Sequence, residues 1–157
     1  MHENARTIET FYTSFGKRDA EGMIACYAPD VEFSDPVFPA LKGEEAFAMW
    51  RMLTGRAADL RVEASGIDAD DTTGRAHWDA YYTFSQTGGK VINRIDATFT
   101  FRDGKIVRHV DRFDLRAWAG MALGLKGKLL GWLPQVQNAI RANADKGLRA
   151  YMAKKQA

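Results

Sequence analysis

Between Leu60 and Phe113 the apolar residues of this chain recur at every second position, whereas upstream of Leu53 they recur every third or fourth. That switch of period predicts helices first and an antiparallel sheet after them, which is an α+β fold. Leu60, Val62 and Ala64 open the first strand, and Asp70-Asp71-Thr72-Thr73-Gly74 reads as a turn. Residues 75–84 and 91–101 read as two long aromatic-rich strands joined across Gly88-Gly89. Arg102-Asp103-Gly104-Lys105 is a hairpin signal, with Asp-Gly its strongest element. A last strand follows from about Ile106 to Phe113. Together these form a four-strand meander.

The flanks carry helical spacing. Ile8, Phe11, Tyr12 and Phe15 mark a first helix that ends at Gly16. Asp19 caps a short second helix carrying Met23, Cys26 and Tyr27, and Pro29 stops it. Val31 and Phe33 open a short strand that Asp35-Pro36 breaks. A third helix runs from Glu44 to Leu53. Beyond the meander, Leu115 to Leu130 reads as one helix weakened by Gly120, Gly124 and Gly127. Pro134 suits the first turn of a final amphipathic helix reaching Tyr151.

The 157 residues suit one domain with a real core. At 46% hydrophobic and 27% charged the chain is neither disordered nor membrane-spanning. A polar N-terminus and a single cysteine, Cys26, fit a cytoplasmic protein without disulfides. Charge is uneven. Residues 1–114 hold 14 Lys/Arg against 19 Asp/Glu, net −5, while residues 115–157 hold 8 against Asp145 alone, net +7. Such a tail can contact an anionic membrane or nucleic acid, and it can equally be a solvated face packed on the acidic body. The second reading is the expectation, so no nucleic-acid partner is assigned.

Two stretches carry a family likeness. One is Cys26-Tyr27-Ala28-Pro29-Asp30-Val31-Glu32-Phe33-Ser34-Asp35-Pro36, followed by Gly43 and a helix. The other is Phe101-Arg102-Asp103-Gly104-Lys105-Ile106-Val107 running into His109-Val110-Asp111-Arg112-Phe113-Asp114-Leu115. With the order of elements they resemble the nuclear-transport-factor-2-like superfamily. The members most similar are ketosteroid isomerase, limonene-epoxide hydrolase and the SnoaL-like polyketide cyclases. The resemblance implies a cone-shaped half-barrel: a curved, mostly antiparallel sheet wrapped around N-terminal helices. It implies a pocket domain over 1–118 and a helical C-terminal extension over 119–157 packed on it. It also implies a small hydrophobic ligand, with no cofactor and no metal.

The resemblance names candidate residues. Asp35 matches the general base of ketosteroid isomerase, though an Asp-Pro pair is also a plain turn former. The isomerase's oxyanion tyrosine falls at Phe11 here, with Tyr12 about 100° away on the helix. Asp111, Asp79 and His77 match the epoxide-hydrolase pattern of a basic-x-Asp pair and a last-strand Asp, and the cyclases again point to Asp111. Phe11, Phe33, Trp50, Tyr81, His109 and Phe113 are the implied substrate-binding residues. Simple alternation on strand 75–84 conflicts with this grouping. It puts Ala76, Trp78, Ala80, Tyr82 and Phe84 on the more apolar face, leaving His77 and Asp79 opposite. A homodimer packed through Trp78, Tyr82 and Phe84 would bury both faces, and it is the expectation that reconciles the two. Three functions remain open: acid/base enzymology on an epoxide or a carbonyl compound, non-catalytic binding of a lipid or metabolite, or an interaction module acting through the dimer face or the basic tail.

Overall fold

The computed structural model describes residues 1–156. Its elements are α1 (Glu3–Gly16), α2 (Ala20–Ile24), β1 (Tyr27–Ser34), β2 (Leu41–Lys42), α3 (Glu44–Arg56), β3 (Arg61–Ala69), β4 (Thr73–Thr83), β5 (Lys90–Arg102), β6 (Lys105–Arg112), α4 (Leu115–Ala122), α5 (Leu125–Leu130) and α6 (Pro134–Gln156). The six strands form one curved, unclosed sheet in the order β2-β1-β6-β5-β4-β3. The meander β3 to β6 is antiparallel, and β1 joins its far edge in parallel with β6. The last residue of the anticipated extension, Ala157, lies outside the described residues. None of the described helices is long and apolar enough to cross a membrane.

Local chemistry explains most of these elements. His2 and Asp19 cap α1 and α2 by accepting the backbone N–H groups of Asn4 and Gly22, and Asp114 caps α4 through Ala117 N–H. The β5–β6 turn places Asp103 and Gly104 both at positive φ, 52° and 76°. That is the backbone a two-residue hairpin needs. Two expectations are corrected. Tyr27 is not helical: it begins β1, where it lies beside Ile106. The anticipated helix 115–130 is two helices, because Gly124 at φ 71° breaks it.

The hairpin register sets which side chains face the helices. Opposed residues share a face of the sheet. Trp78 lies across from Ile95, Ala80 from Asn93, Ala76 from Ala97, and Ala97 from Asp111. All are buried, and Ile8, Phe11, Tyr12 and Phe15 of α1 pack in the same core. Regular alternation from buried Ile106 would turn Arg108 and Val110 inward. A one-residue bulge at Val107, between the pairs Phe101–Ile106 and Thr100–Arg108, shifts the phase. His109 and Asp111 then face inward, 0% and 3% exposed, while Arg108 and Arg112 face solvent.

The apolar face of β4 is therefore the core face. Trp78 is buried and Tyr82 half-buried, covered by α1, α4 and α6 of the same chain. The face expected to meet a second protomer is thus covered by helices of the same chain. The outer face of β4 and β5 carries Arg75, His77, Asp79, Arg94 and Asp96 among threonines, with Tyr81 and Ile92.

Candidate functional site

Between the inner face of the sheet and the helices lies a cavity of about 640 Å³. Phe15, Trp50 and Trp78 form one aromatic wall, with ring centroids 5.0 Å apart for Phe15–Trp50 and 5.2 Å for Phe15–Trp78. Phe84, Phe113 and Trp118 form another, and Ile140, Ala144 and Gly147 of α6 close a side. The segment read as an extension thus supplies part of the wall. The polar groups facing this space include Asp35, Asp111, Tyr82 and Asn93.

Asp111 ends a chain of hydrogen bonds that runs through the core. His109 Nε2 lies 2.8 Å from Asp111 Oδ1, His109 Nδ1 lies 2.7 Å from Tyr27 Oη, and Trp50 Nε1 donates to Tyr27 Oη over 2.9 Å. One proton arrangement satisfies every atom. Trp50 N–H donates to Tyr27, Tyr27 O–H donates to His109 Nδ1, and His109 Nε2–H donates to Asp111. Trp78 Nε1 donates to the same Asp111 oxygen over 3.4 Å. Among the described residues Asp111 Oδ2 takes no hydrogen bond, which leaves it for the cavity that Asp111 lines.

Asp35 reaches the cavity from the loop after β1. Its Oδ1 accepts the N–H groups of Val37 and Phe38 at 2.7 and 2.6 Å, so the turn-forming role and the cavity position belong to one side chain. Burial pushes its pKa from 3.8 up to about 7, and the nearby Asp111 charge adds to the rise. Tyr82 accepts the Trp118 Nε1 proton over 2.7 Å, which leaves its own O–H free to donate into the cavity. Burial, with a further push from Asp35, raises its pKa above 10.

The remaining candidates fall elsewhere. Trp50 and Phe113 line the cavity. Phe11, Phe33 and His109 are fully buried but sit behind the wall, where their rings pack edge-on around His109 at 5.4 and 5.1 Å. His77, Asp79 and Tyr81 do not line the cavity, because their positions on β4 are odd and that parity faces outward. His77 bonds Asp79 and Asp96 at 2.8 and 2.9 Å, and these two acids raise its pKa. Tyr81 stacks under Arg61 at 4.2 Å and donates to Glu63. The epoxide-hydrolase trio is therefore not assembled around the cavity. Among the described residues no three metal-ligating side chains converge.

Sequence reasoning overlooked Tyr82, Asn93 and Trp118 as site residues. Tyr82 belongs to the apolar face expected to pack a homodimer and Trp118 to the helical spacing of 115–130, and only their 2.7 Å bond across 36 residues reveals a polar role. Tyr12 is also informative. Its ring packs on Trp78 at 5.9 Å, and its hydroxyl is the one buried side-chain polar atom without a partner among the described residues. Burial and the charge of Asp111 push its pKa well above 10.

A curved sheet cupping an aromatic cavity with two carboxyls defines the class, and comparisons place the chain within it. A SnoaL-like domain profile matches residues 8–109. The chain belongs to the SnoaL-like family, within the nuclear-transport-factor-2-like fold. No protein of curated function matches it in sequence. Among solved structures it is similar to an LEH-like epoxide hydrolase of M. tuberculosis, at 20% identity and TM-score 0.65, over 84% of this chain and 96% of that one. It is similar to IdmH of Streptomyces antibioticus, a candidate polyketide cyclase, at 21% identity and TM-score 0.65, over 79% and 100%. TerC, crystallised with polyporic acid, matches at 22% identity and TM-score 0.65, over 76% and 98%. Likeness at these identities establishes the fold.

Proposed function

We propose that this protein is a cofactor-independent enzyme that moves a proton within a hydrophobic carbonyl compound, in the manner of an isomerase or cyclase. The observation that carries this reading is Asp35: a carboxyl titrating near 7 in an aromatic cavity that also holds a free phenol donor, Tyr82. A base whose pKa lies near working pH is most effective at proton abstraction. Ionised Asp35 takes a proton from the carbon beside the carbonyl, and the C–H electron pair moves to the carbonyl oxygen as an enolate. Tyr82 O–H donates to that oxygen. Where the substrate carries a β,γ-double bond the enolate is a conjugated dienolate, and protonated Asp35 returns its proton to the γ-carbon as the double bond moves to the α,β-position, giving isomerisation. In the cyclising case the enolate carbon attacks a second carbonyl of the same molecule, and the new alkoxide takes the proton. Asp111 holds a second polar point of the substrate through Oδ2. Epoxide hydrolysis is the less supported chemistry, because His77 and Asp79 lie on the opposite face of the sheet.

Hydrogen–deuterium exchange tests the proposal. A panel of aromatic β-keto esters in D2O should exchange their acidic α-hydrogens faster with the protein, with a rate rising through about pH 7. Asp35→Asn should abolish the acceleration. Quenching of tryptophan fluorescence by a bound probe without any exchange would instead establish a binding domain.

A further inference from the structure

We propose that the segment from Leu125 to Trp132 is a docking element that seats this protein on an anionic lipid surface. The segment is built inside out. α5 packs on α4 along a glycine edge: a Cβ at Gly127 would lie 1.9 Å from the Ala119 carbonyl oxygen. One at Gly131 would lie 2.4 Å from Gly127 O and 3.0 Å from Ala119 Cβ. With only glycines on the inner side, the large side chains have nowhere to go but outward. Leu125 is 71% exposed, Leu129 62%, Trp132 56% and Leu130 38%. Elsewhere among the described residues the only large apolar side chains so exposed are Met1 and Ile92. The apolar exposure of the molecule is thus concentrated in eight residues. A folded chain gains nothing by this unless something covers the patch.

The chemistry of the patch points to a lipid surface. Trp132 Nε1 donates to Leu129 O over 3.1 Å, so its one polar atom is satisfied and its ring is free to enter an apolar layer. Lys126 and Lys128 are exposed between the leucines. Residues 115–144 contain Arg116, Lys126, Lys128 and Arg141 and no acidic residue. Leucine and tryptophan interleaved with lysine is the composition of segments that lie in the headgroup region. A second copy of the chain fits less well, since a symmetric contact over so small a patch would gather Lys126 and Lys128 of both copies in an interface to which residues 115–144 bring no acidic partner. α6 is not the docking element despite its basic character, because Leu148 is fully buried and Ala144 packs on the core. α4 lies between patch and cavity, with Trp118 toward the cavity and Ala119 toward α5. The protein would thereby stand where hydrophobic molecules concentrate. The inference does not depend on the reaction proposed above.

Vesicle sedimentation tests it with the full chain. The protein should sediment with phosphatidylcholine vesicles containing about one quarter phosphatidylglycerol at low salt, and about tenfold less with phosphatidylcholine alone or in ~0.5 M salt. Brominated lipid should quench Trp132, which is the exposed tryptophan. The double variants L129S/W132S and K126E/K128E change only exposed side chains. Each should reduce binding about tenfold with an unchanged near-ultraviolet circular dichroism spectrum. Wild-type protein that leaves anionic vesicles unbound, or variants that bind as well as wild type, would overturn the proposal. So would a wild-type dimer that L129S/W132S turns into a monomer, which would give the patch to a second copy.

Discussion

His109 Nε2 sits 2.8 Å from Asp111 Oδ1, both side chains almost wholly buried on the same face of β6. The arrangement that satisfies every partner puts the imidazole proton on Nε2, with Nδ1, 2.7 Å from Tyr27 Oη, as the acceptor. Nitrogen-15 spectra of the histidine ring should show this tautomer. Tyr27→Phe should break the chain at its centre, leaving both Trp50 N–H and His109 Nδ1 unpaired. We expect it to cost about 1–3 kcal/mol in urea unfolding for each polar group left unpaired, and to let the second tautomer appear.

Asp111 itself should separate shape from charge. Asp111→Asn retains an oxygen for the His109 and Trp78 donors, so folding should survive while ligand affinity or turnover falls. Asp111→Leu removes both acceptor sites and should lower stability by about 1–3 kcal/mol. Thermal melting of the two variants side by side makes the comparison.

Asp35 predicts an unusual pH dependence. Its native pKa of about 7 lies above the unfolded value of 3.8, so the native state holds the proton more tightly. Its contribution to stability must therefore decline as pH rises from about 4 to about 7 and stay level above that. The full penalty is on the order of 4 kcal/mol, an upper figure for a half-buried group. Asp35→Asn keeps the oxygen that accepts Val37 and Phe38. We expect it to melt higher than wild type at pH 8 and to match it near pH 4.

The unpaired hydroxyl of Tyr12 is a cost without a structural return inside the chain. Tyr12→Phe should leave stability unchanged or raise it by about 1 kcal/mol. A loss of ligand affinity in that variant would show that the hydroxyl finds its partner only in the complex.

Gly147 lies in the middle of α6 on the cavity wall, and the nearest atom to an added Cβ would be Arg56 Nη1 at 3.8 Å. Gly147→Ala should therefore stabilise the helix by about 0.5–1 kcal/mol. A larger side chain there should exclude ligand without unfolding the protein, which isothermal titration would detect.

Much of this design is legible in the sequence. The alternation of Ala76, Trp78, Ala80 and Tyr82 identifies the inner face of β4 correctly, and family resemblance, which favoured His77 and Asp79, misleads there. Asp35 and Asp111 are readable as cavity carboxyls from their motifs. The parallel pairing of β1 with β6 is not readable, because its ladder joins residues about 80 positions apart and leaves no local pattern in the sequence. Tyr27 consequently looks helical when it is a strand residue at the centre of a relay. The inversion of α5 is hidden for a related reason: glycines weaken a helix in any propensity argument, and only contact with Ala119 shows that here they set its orientation.

The bulge at Val107 has a further meaning. Delete that residue from β6 and Ile106, His109 and Asp111 would still alternate inward with Arg108 and Val110 outward, as in an unbroken strand. The extra residue is thus not needed to tell the strand which way to face. Because the bulge takes Val107 out of the alternation, the mark this residue leaves is on shape: a bulge tightens twist and bends the strand that carries it. Orientation and curl are written on different residues of one strand. The breadth of the cone can therefore change at Val107, with Asp111 keeping its place on the inner face, as long as the extra residue is taken up by the bulge.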